Sequence, residues 1–319
     1  MTTAVRGRGK MIIGPSGKPI PRKKPKPLHK VLEPYLFLLP VFVFIIMFSY
    51  YPFVKTIAYS LSRVDVRGNI REFIGFENYL NVFKSKDFIN ALIVTLKYAA
   101  MELPFAVVVP LCLALLANRK RLFSSVYETM YAMPMAVSMS AAALIFKQLY
   151  NPKVGLVNYW LNMLGIMSNK TDINWLANKT YALPSLVFLA VWAGVGFHYM
   201  LLLAAVRGVP NDLLENADLA GANAFQKVWH VTLPIISPTL FFVFCTCTIG
   251  SLMVSSPMLI LTSGGPNKTT TSLIYYIYSS GFQSSNYALG ATVSILAFLL
   301  TFIFVFFNFA YEKKGVFYG

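Results

Sequence analysis

The chain has 319 residues, 56% of them hydrophobic and only 13% charged, with a mean hydropathy of +0.59. This composition excludes a disordered chain and argues against a soluble enzyme, and three cysteines exclude a disulfide scaffold. A formal charge of +16 can signal nucleic-acid binding, but the basic residues gather in the N-terminal tail and in short loops between apolar runs, the positive-inside pattern of a multi-span membrane protein.

Residues 1–30 hold Arg6, Arg8, Lys10, Lys18, Arg22, Lys23, Lys24, Lys26 and Lys30. Prolines between positions 19 and 27 preclude a helix there. A disordered basic cytosolic tail is expected, its charge fixing topology and attracting lipid headgroups by roughly 1 kcal/mol per basic residue. About 20 apolar residues cross a bilayer. Six segments qualify: 35–57, 91–117, 124–146, 183–206, 235–261 and 287–311. The first exceeds the apolar core of a signal peptide and no A-x-A site follows, so it reads as a retained anchor. The expected fold is an all-α integral membrane protein of six transmembrane helices. Its expected parts are the tail at 1–30, an anchor with an external loop at 31–90, a transmembrane core at 91–311 and a C-terminal cytosolic tail at 312–319.

Short-loop charges set the expected orientation. Asn118, Arg119, Lys120 and Arg121 make a tightly basic second loop, read as cytosolic, and Lys313 and Lys314 agree. In the first loop Arg63, Arg67, Arg71, Lys84 and Lys86 nearly cancel Asp65, Glu72, Glu77 and Asp87. The third loop argues the other way, with Lys147, Lys153, Lys170 and Lys179 against Asp172 alone. Six spans put both termini on one side, here the cytosol, and the expected location is a bacterial inner membrane. Sequons at Asn169, Asn178 and Asn267 are read as chance.

The loop over 209–238 (VPNDLLENADLAGANAFQKVWHVTLPIISP) is the informative one. It reads as two short helices at the cytosolic face. Asp212 and Glu215 have capping-box spacing after Pro210, Gly221 offers a break, and Leu233-Pro234 ends the second helix and starts the next span. Ala217, Ala220, Gly221 and Ala222 are small enough for another surface to approach the backbone. A plain interfacial amphipathic linker accounts for the same residues.

At these residues the loop resembles the EAA loop of the membrane subunits of binding-protein-dependent ABC importers. Glu215, Ala217, Gly221, Val231, Leu233 and Pro234 fall at the family's spacings, while Asn216, Ala220 and Val231 depart from its usual Ala, Asp and Ile. Thr262, Gly264, Gly265 and Pro266, after the fifth span, resemble the corresponding loop of the maltose-permease class. The resemblance implies the type I ABC importer permease fold and a coupling role for 209–234. Glu215, Ala217, Gly221, Ala222, Leu233 and Pro234 would dock on cytosolic ATP-binding subunits, which form a dimer. It also implies a second homologous permease and an external or periplasmic solute-binding protein. No nucleic-acid partner is expected. The chain itself has no ATP site, since its nearest Walker-A lookalike, Gly17-Lys18, is followed by Pro19 and has Ile12 at the first glycine position. No cofactor and no metal site are expected, ATP being bound by the partner ATPase.

Charged residues inside spans are functional candidates. Glu102 lies near mid-membrane in the second span, with Lys97 close enough in sequence to compensate it or to snorkel outward. Glu128 lies near a span end, where interfacial solvation is expected. In the fourth span Trp192, Ala193, Gly194, Phe197 and His198, and in the fifth Cys247 and Ser251, are candidates for the solute pathway, with helix packing the alternative for each. Ala190 lacks the polar side chain usual at its position in the maltose-permease class. The leading function is a permease subunit of an ATP-driven sugar or oligosaccharide importer. The alternatives are a glycerol-phosphate importer of the same architecture and an ion-driven secondary transporter, against which the lack of a clear internal repeat counts.

Overall fold

The computed structural model describes residues 28–118, 123–166 and 173–317. Residues 1–27 of the basic tail, Arg119, Lys120, Arg121, Asn169, Lys170 and Asp172 lie outside the described residues. Chain contacts divide the protein into two units, residues up to Val54 and residues from Lys55 onward. In the first, α1 (Leu28–Ile45) passes through a π-turn over Ile46–Tyr50 into the first turn of α2 (Tyr51–Ser60), whose remainder belongs to the second. Every side chain from 35 to 54 is exposed. An apolar helix bare on all sides needs lipid or another protein around it.

The second unit adds a hairpin absent from the all-helical expectation, β1 (Ser62–Val64) against β2 (Ile70–Phe73), antiparallel with Ser62 opposite Phe73. Its turn is organised by Asp65, whose carboxylate accepts the backbone N–H of Asn69 at 2.8 Å and of Arg67 at 2.9 Å and pairs with Arg71 at 2.8 Å. The Asn69 backbone hydrogen bond leads in holding this carboxyl below its ordinary pKa. A depressed carboxyl contributes its stabilisation above the ordinary carboxylate range and loses it as pH falls through the folded value. Asp65→Ala is therefore expected, at neutral pH, to strip protection from the Arg67 and Asn69 amides down to the level the wild type reaches only on acidification. Hydrogen exchange at those two amides is the check.

α3 (Glu77–Lys84) leads into α4 (Lys86–Ala117), which at ~1.5 Å per residue is about 48 Å long. The expected single span at 124–146 is instead two helices, α5 (Ser124–Ala132) and α6 (Met139–Leu149), bent by 101°. Between them a 3₁₀ turn over Met133–Ala136 contains Pro134, and Ser138 caps α6 by accepting the Ala141 N–H. α7 (Leu156–Met163) is followed by α8 (Ala182–Arg207), α9 (Asn211–Leu219), α10 (Ala224–Lys227), a π-turn over Val228–Thr232, α11 (Leu233–Ile235) and α12 (Ser237–Leu252). The fifth expected span, 235–261, is also corrected. Helix stops at Leu252, resumes as one π-turn over Met258–Thr262, and is bent by 74° from the Ala224–Ile235 stretch before it. α13 (Leu273–Tyr278) and α14 (Tyr287–Gly315) complete the chain. Among the described residues, four helices are long and apolar enough to cross a membrane, and up to six if each bent pair is one span, which matches the six-span expectation.

α4 is the axis of the second unit. One side cluster joins Val94 and Tyr98 to Phe146 of α6 and Leu186 and Leu189 of α8, and another joins Ala106 and Ala114 to Tyr199 and Leu202 of α8 and Val243 and Cys247 of α12. Without a hydrophobic drive inside lipid, such contacts hold helices by close van der Waals fit. At the start of α4, Asn90 donates to the Lys268 carbonyl at 2.8 Å, Asp87 pairs with Lys268 at 2.7 Å, and Thr95 Oγ1 accepts the Leu273 N–H at 2.8 Å. At its far end Leu111 and Leu115 pack with Val206, Val209 and Ile236. The 262–273 segment and the 209–236 loop therefore sit at opposite ends of this helix.

Candidate functional site

The 209–236 loop is a helix–turn–helix clamped at its turn. α9 ends as a Schellman motif: the Ala222 N–H donates to the Ala217 carbonyl and the Gly221 N–H to the Asp218 carbonyl, both at 2.9 Å. Gly221 stands at φ +79°, the left-handed conformation that closes such a motif. The break expected at Gly221 is thus present. The capping box expected from Asp212 and Glu215 is not. α9 starts directly after Pro210, so Asp212 lies inside the first turn and no side chain caps it. The box forms instead at the second helix, where Asn223 Oδ1 accepts the Gln226 N–H at 2.9 Å and Gln226 Oε1 accepts the Asn223 N–H at 2.8 Å. Asn-x-x-Gln at 223–226 is the sequence signal for it. Nor does Leu233-Pro234 divide loop from span. Pro234 sits in the first turn of α11, and the bend falls at Ile236, where Pro238 opens α12.

The two short helices are braced by Lys227 Nζ on Asp218 Oδ1 at 2.6 Å, an exposed pair that contributes about 0–1 kcal/mol. Their inner side seats Leu214, Val231 and Leu233 against the Val206–Val209–Ile236 cluster. Their outer side is bare: Leu219 is 87% exposed, Phe225 74% and Trp229 60%, the last two rings stacked at 6.2 Å. Glu215 is exposed, and Ala217 and Ala222 are half-buried. Phe225 and Trp229 stand four positions apart in the amphipathic stretch 225–231, so the sequence marks that part of the face, whereas Leu219, across the turn, carries no such signal. Just before the loop, Arg207 pairs with Glu128 at 2.6 Å and ties α8 to α5, and both side chains keep part of their surface exposed.

The candidate solute residues divide. Glu102 and Tyr98 lie one turn apart on one side of α4. Glu102 Oε2 and Tyr98 Oη are sealed from solvent, and neither has a hydrogen-bond partner of good geometry. Lys97 points elsewhere, exposed and without an ion pair among the described residues, so it does not compensate Glu102. One further turn along, the Ala106 carbonyl lies 3.9 Å from Cys247 Sγ, which in turn lies 3.6 and 3.7 Å from the two ring nitrogens of His198. The fold thus brings Glu102, His198 and Cys247 to one region. Trp192 is drawn away from them, its ring 5.2 Å from that of Phe146, on an apolar groove of ≈ 650 Å³ lined also by Met101, Phe105 and Phe188. Phe197 is exposed and meets the edge of His198, while Ala193 and Gly194 are half-buried. Ser251 is fully buried, its hydroxyl donating to the Thr248 carbonyl of its own helix at 3.0 Å.

Residues 79–314 match the family described as binding-protein-dependent transport system inner membrane component. Among curated proteins, the chain is 30% identical over 286 residues to the sn-glycerol-3-phosphate transport system permease protein UgpA of Salmonella choleraesuis (strain SC-B67), covering 89% of this chain and 95% of the relative. It is also 30% identical over 284 residues to the probable ABC transporter permease protein YurN of Bacillus subtilis (strain 168), covering 88% and 96%. Among solved structures it superposes on a chain of the bacterial alginate ABC transporter crystallised with alginate pentasaccharide-bound periplasmic protein. That match has a TM-score of 0.79 at 23% identity, over 90% of this chain and 97% of the other. At that identity the likeness establishes the fold.

Proposed function

The chain belongs to the family of binding-protein-dependent transport system inner membrane components, and from that premise we propose that it is one of two permease subunits of an ATP-driven importer of sugars or oligosaccharides. It forms half of a translocation path, receives solute from a binding protein outside, and holds both termini and the 209–236 loop in the cytosol. ATP is bound and hydrolysed by a separate pair of subunits.

The observation that carries this reading is the braced loop at the end of α4. Its inner side is keyed into the helix bundle through Leu214, Val231 and Leu233, and its outer side offers Leu219, Phe225 and Trp229 to a partner. A rigid-body push on that outer face travels into α4, α8 and α12 without deforming the loop, the movement alternating access needs. Glu215, Ala217, Gly221 and Ala222 lie on the α9 side of this face, and Leu233 and Pro234 where it joins the bundle. Cysteines placed at Ala217 or Ala222 are expected to cross-link to the ATP-binding subunit in native membranes, and Phe225→Glu to weaken that subunit's co-purification at least tenfold. Absence of both effects removes the docking assignment. A glycerol-phosphate importer is the second reading, supported by the named function of the Salmonella relative.

A further inference from the structure

Going beyond the importer reading, we propose that α7 is an interfacial helix whose bare apolar face sits in the bilayer leaflet opposite the 209–236 loop, with Lys147, Lys153 and Lys179 holding anionic phospholipid headgroups beside it. Leu156, Tyr159, Trp160, Met163 and Leu164 fall at i, i+3, i+4, i+7 and i+8, one side of a helix. Each is more than half exposed. The other side meets the protein: Asn158 is buried, and Val157 packs on the cluster of Tyr98, Phe146 and Leu186. This helix rests on a built support. Asn151 Oδ1 accepts the Lys153 N–H at 3.0 Å and the Val154 N–H at 3.3 Å. Gly155 closes so tightly on that turn that a Cβ there would collide with the Leu149 and Asn151 carbonyl oxygens. Asn158 Nδ2 donates to the Pro152 and Ile173 carbonyls, both at 3.0 Å, and its Oδ1 accepts the Trp175 Nε1–H at 2.8 Å. Tyr150 Oη donates to the Ser185 carbonyl at 3.0 Å, and Lys147 Nζ donates to the Ile260 carbonyl at 3.5 Å. These bonds set α7 at the first turns of α8, the end of the bundle where the 262–273 segment lies.

Charge selects the occupant. Lys147, Lys153 and Lys179 are exposed, and none has an ion pair among the described residues. From Thr129 to Asn211 the sequence holds one acid, Asp172. This lysine excess runs against the positive-inside pattern, and phosphate headgroups supply the anions the chain lacks. Tyr and Trp on an amphipathic face, flanked by lysines, match the water–lipid boundary, where the rings lie at headgroup depth and the long basic side chains reach the phosphates. A protein is the poorer occupant, because lysine is depleted at protein interfaces.

The test uses the full chain, with the subunits that co-purify with it, in nanodiscs of phosphatidylcholine alone or in equal mixture with phosphatidylglycerol. A nitroxide is attached at Met163→Cys in a Cys112→Ser background, because Cys112 is exposed while Cys245 and Cys247 are buried. The expected result is relaxation by oxygen rather than by an aqueous nickel chelate, at a depth of about 5–10 Å. The second readout is the Trp160 share of the fluorescence, taken as wild type minus Trp160→Phe. Brominated phosphatidylglycerol is expected to quench it with at least threefold preference over brominated phosphatidylcholine. That preference should fall to parity in the triple variant Lys147→Gln, Lys153→Gln, Lys179→Gln and persist in the matching Lys→Arg variant. A nitroxide relaxed mainly by the nickel chelate overturns the proposal. So does one shielded from both reagents, because the second permease or an added binding protein covers it. Equal quenching by the two lipids in the wild type, or a preference that survives the Gln variant, overturns it as well. None of these measurements requires transport, so they stand apart from the importer reading, which is tested by its own cross-links.

Discussion

Gly221→Val is expected to abolish ATP-driven uptake in the reconstituted importer, while Gly221→Asn keeps most of it. The reason is conformational before it is steric. Gly221 sits at φ +79°, and a Cβ built on it meets nothing within 4 Å in this chain. An L-residue held in the left-handed region costs roughly 1–2 kcal/mol, more when β-branched, whereas asparagine visits it readily. Valine therefore unwinds the two carbonyl-capping bonds at Ala217 and Asp218 and lets α9 swing away from α10. Gly221→Ala separates the turn from the docked surface. Open space around the added methyl within this chain means that alanine should lose only the backbone penalty, about tenfold in the fraction of closed turn. If alanine and asparagine both fail while the ATP-binding subunit still co-purifies, the bare backbone at this position is needed by the partner rather than by the turn. Uptake and co-purification, measured on the wild type and all three variants, distinguish the two.

The parts of the molecule that can be read from the sequence are those in which one residue type has one physical job. Twenty apolar residues in a row admit few fates, so spans around α4, α8 and α14 are found where expected. Gly221 between two amphipathic stretches marks a turn because glycine enters the left-handed region without a Cβ penalty. The bends are harder. A span that breaks at 137–138 is as apolar as one that does not, and Pro134 alone does not say whether a helix kinks or ends. The Asp212–Glu215 pair shows the limit of spacing arguments: the interval is right for a cap, but the helix begins at Asn211 behind Pro210, two residues too early for Asp212 to serve. The separation of Lys97 from Glu102 is legible in their spacing, since five positions turn a helix by about 140° beyond a full circle. The hairpin at 62–73 leaves no alternating apolar pattern, because it is held by the Asp65 turn and not by a buried face.

Gly196 and Gly194, two positions apart on α8 and equal to the eye in the sequence, should respond oppositely to alanine. At Gly196 an added Cβ falls 2.7 Å from the Ala132 carbonyl oxygen, 3.0 Å from the Met135 nitrogen and 3.1 Å from Met135 Cβ. Two of these are backbone atoms of the α5–α6 bend, so no rotamer change relieves them, and α8 must separate from the 3₁₀ turn. Overpacking of that kind costs about 1–3 kcal/mol, and inside lipid no compensating hydrophobic gain offsets it. At Gly194 the same atom meets only the His198 ring, at 3.7 Å, an ordinary contact. Gly196→Ala is therefore expected to lower the thermal midpoint of the purified complex by several degrees, with Gly194→Ala indistinguishable from wild type in stability. Gly196→Leu should not assemble at all. Melting curves and complex yield for the three variants check this. Equal tolerance at both glycines would mean that the bend between α5 and α6 does not rest on α8, and that the broken third span is free to move independently of the helix leading into the 209–236 loop.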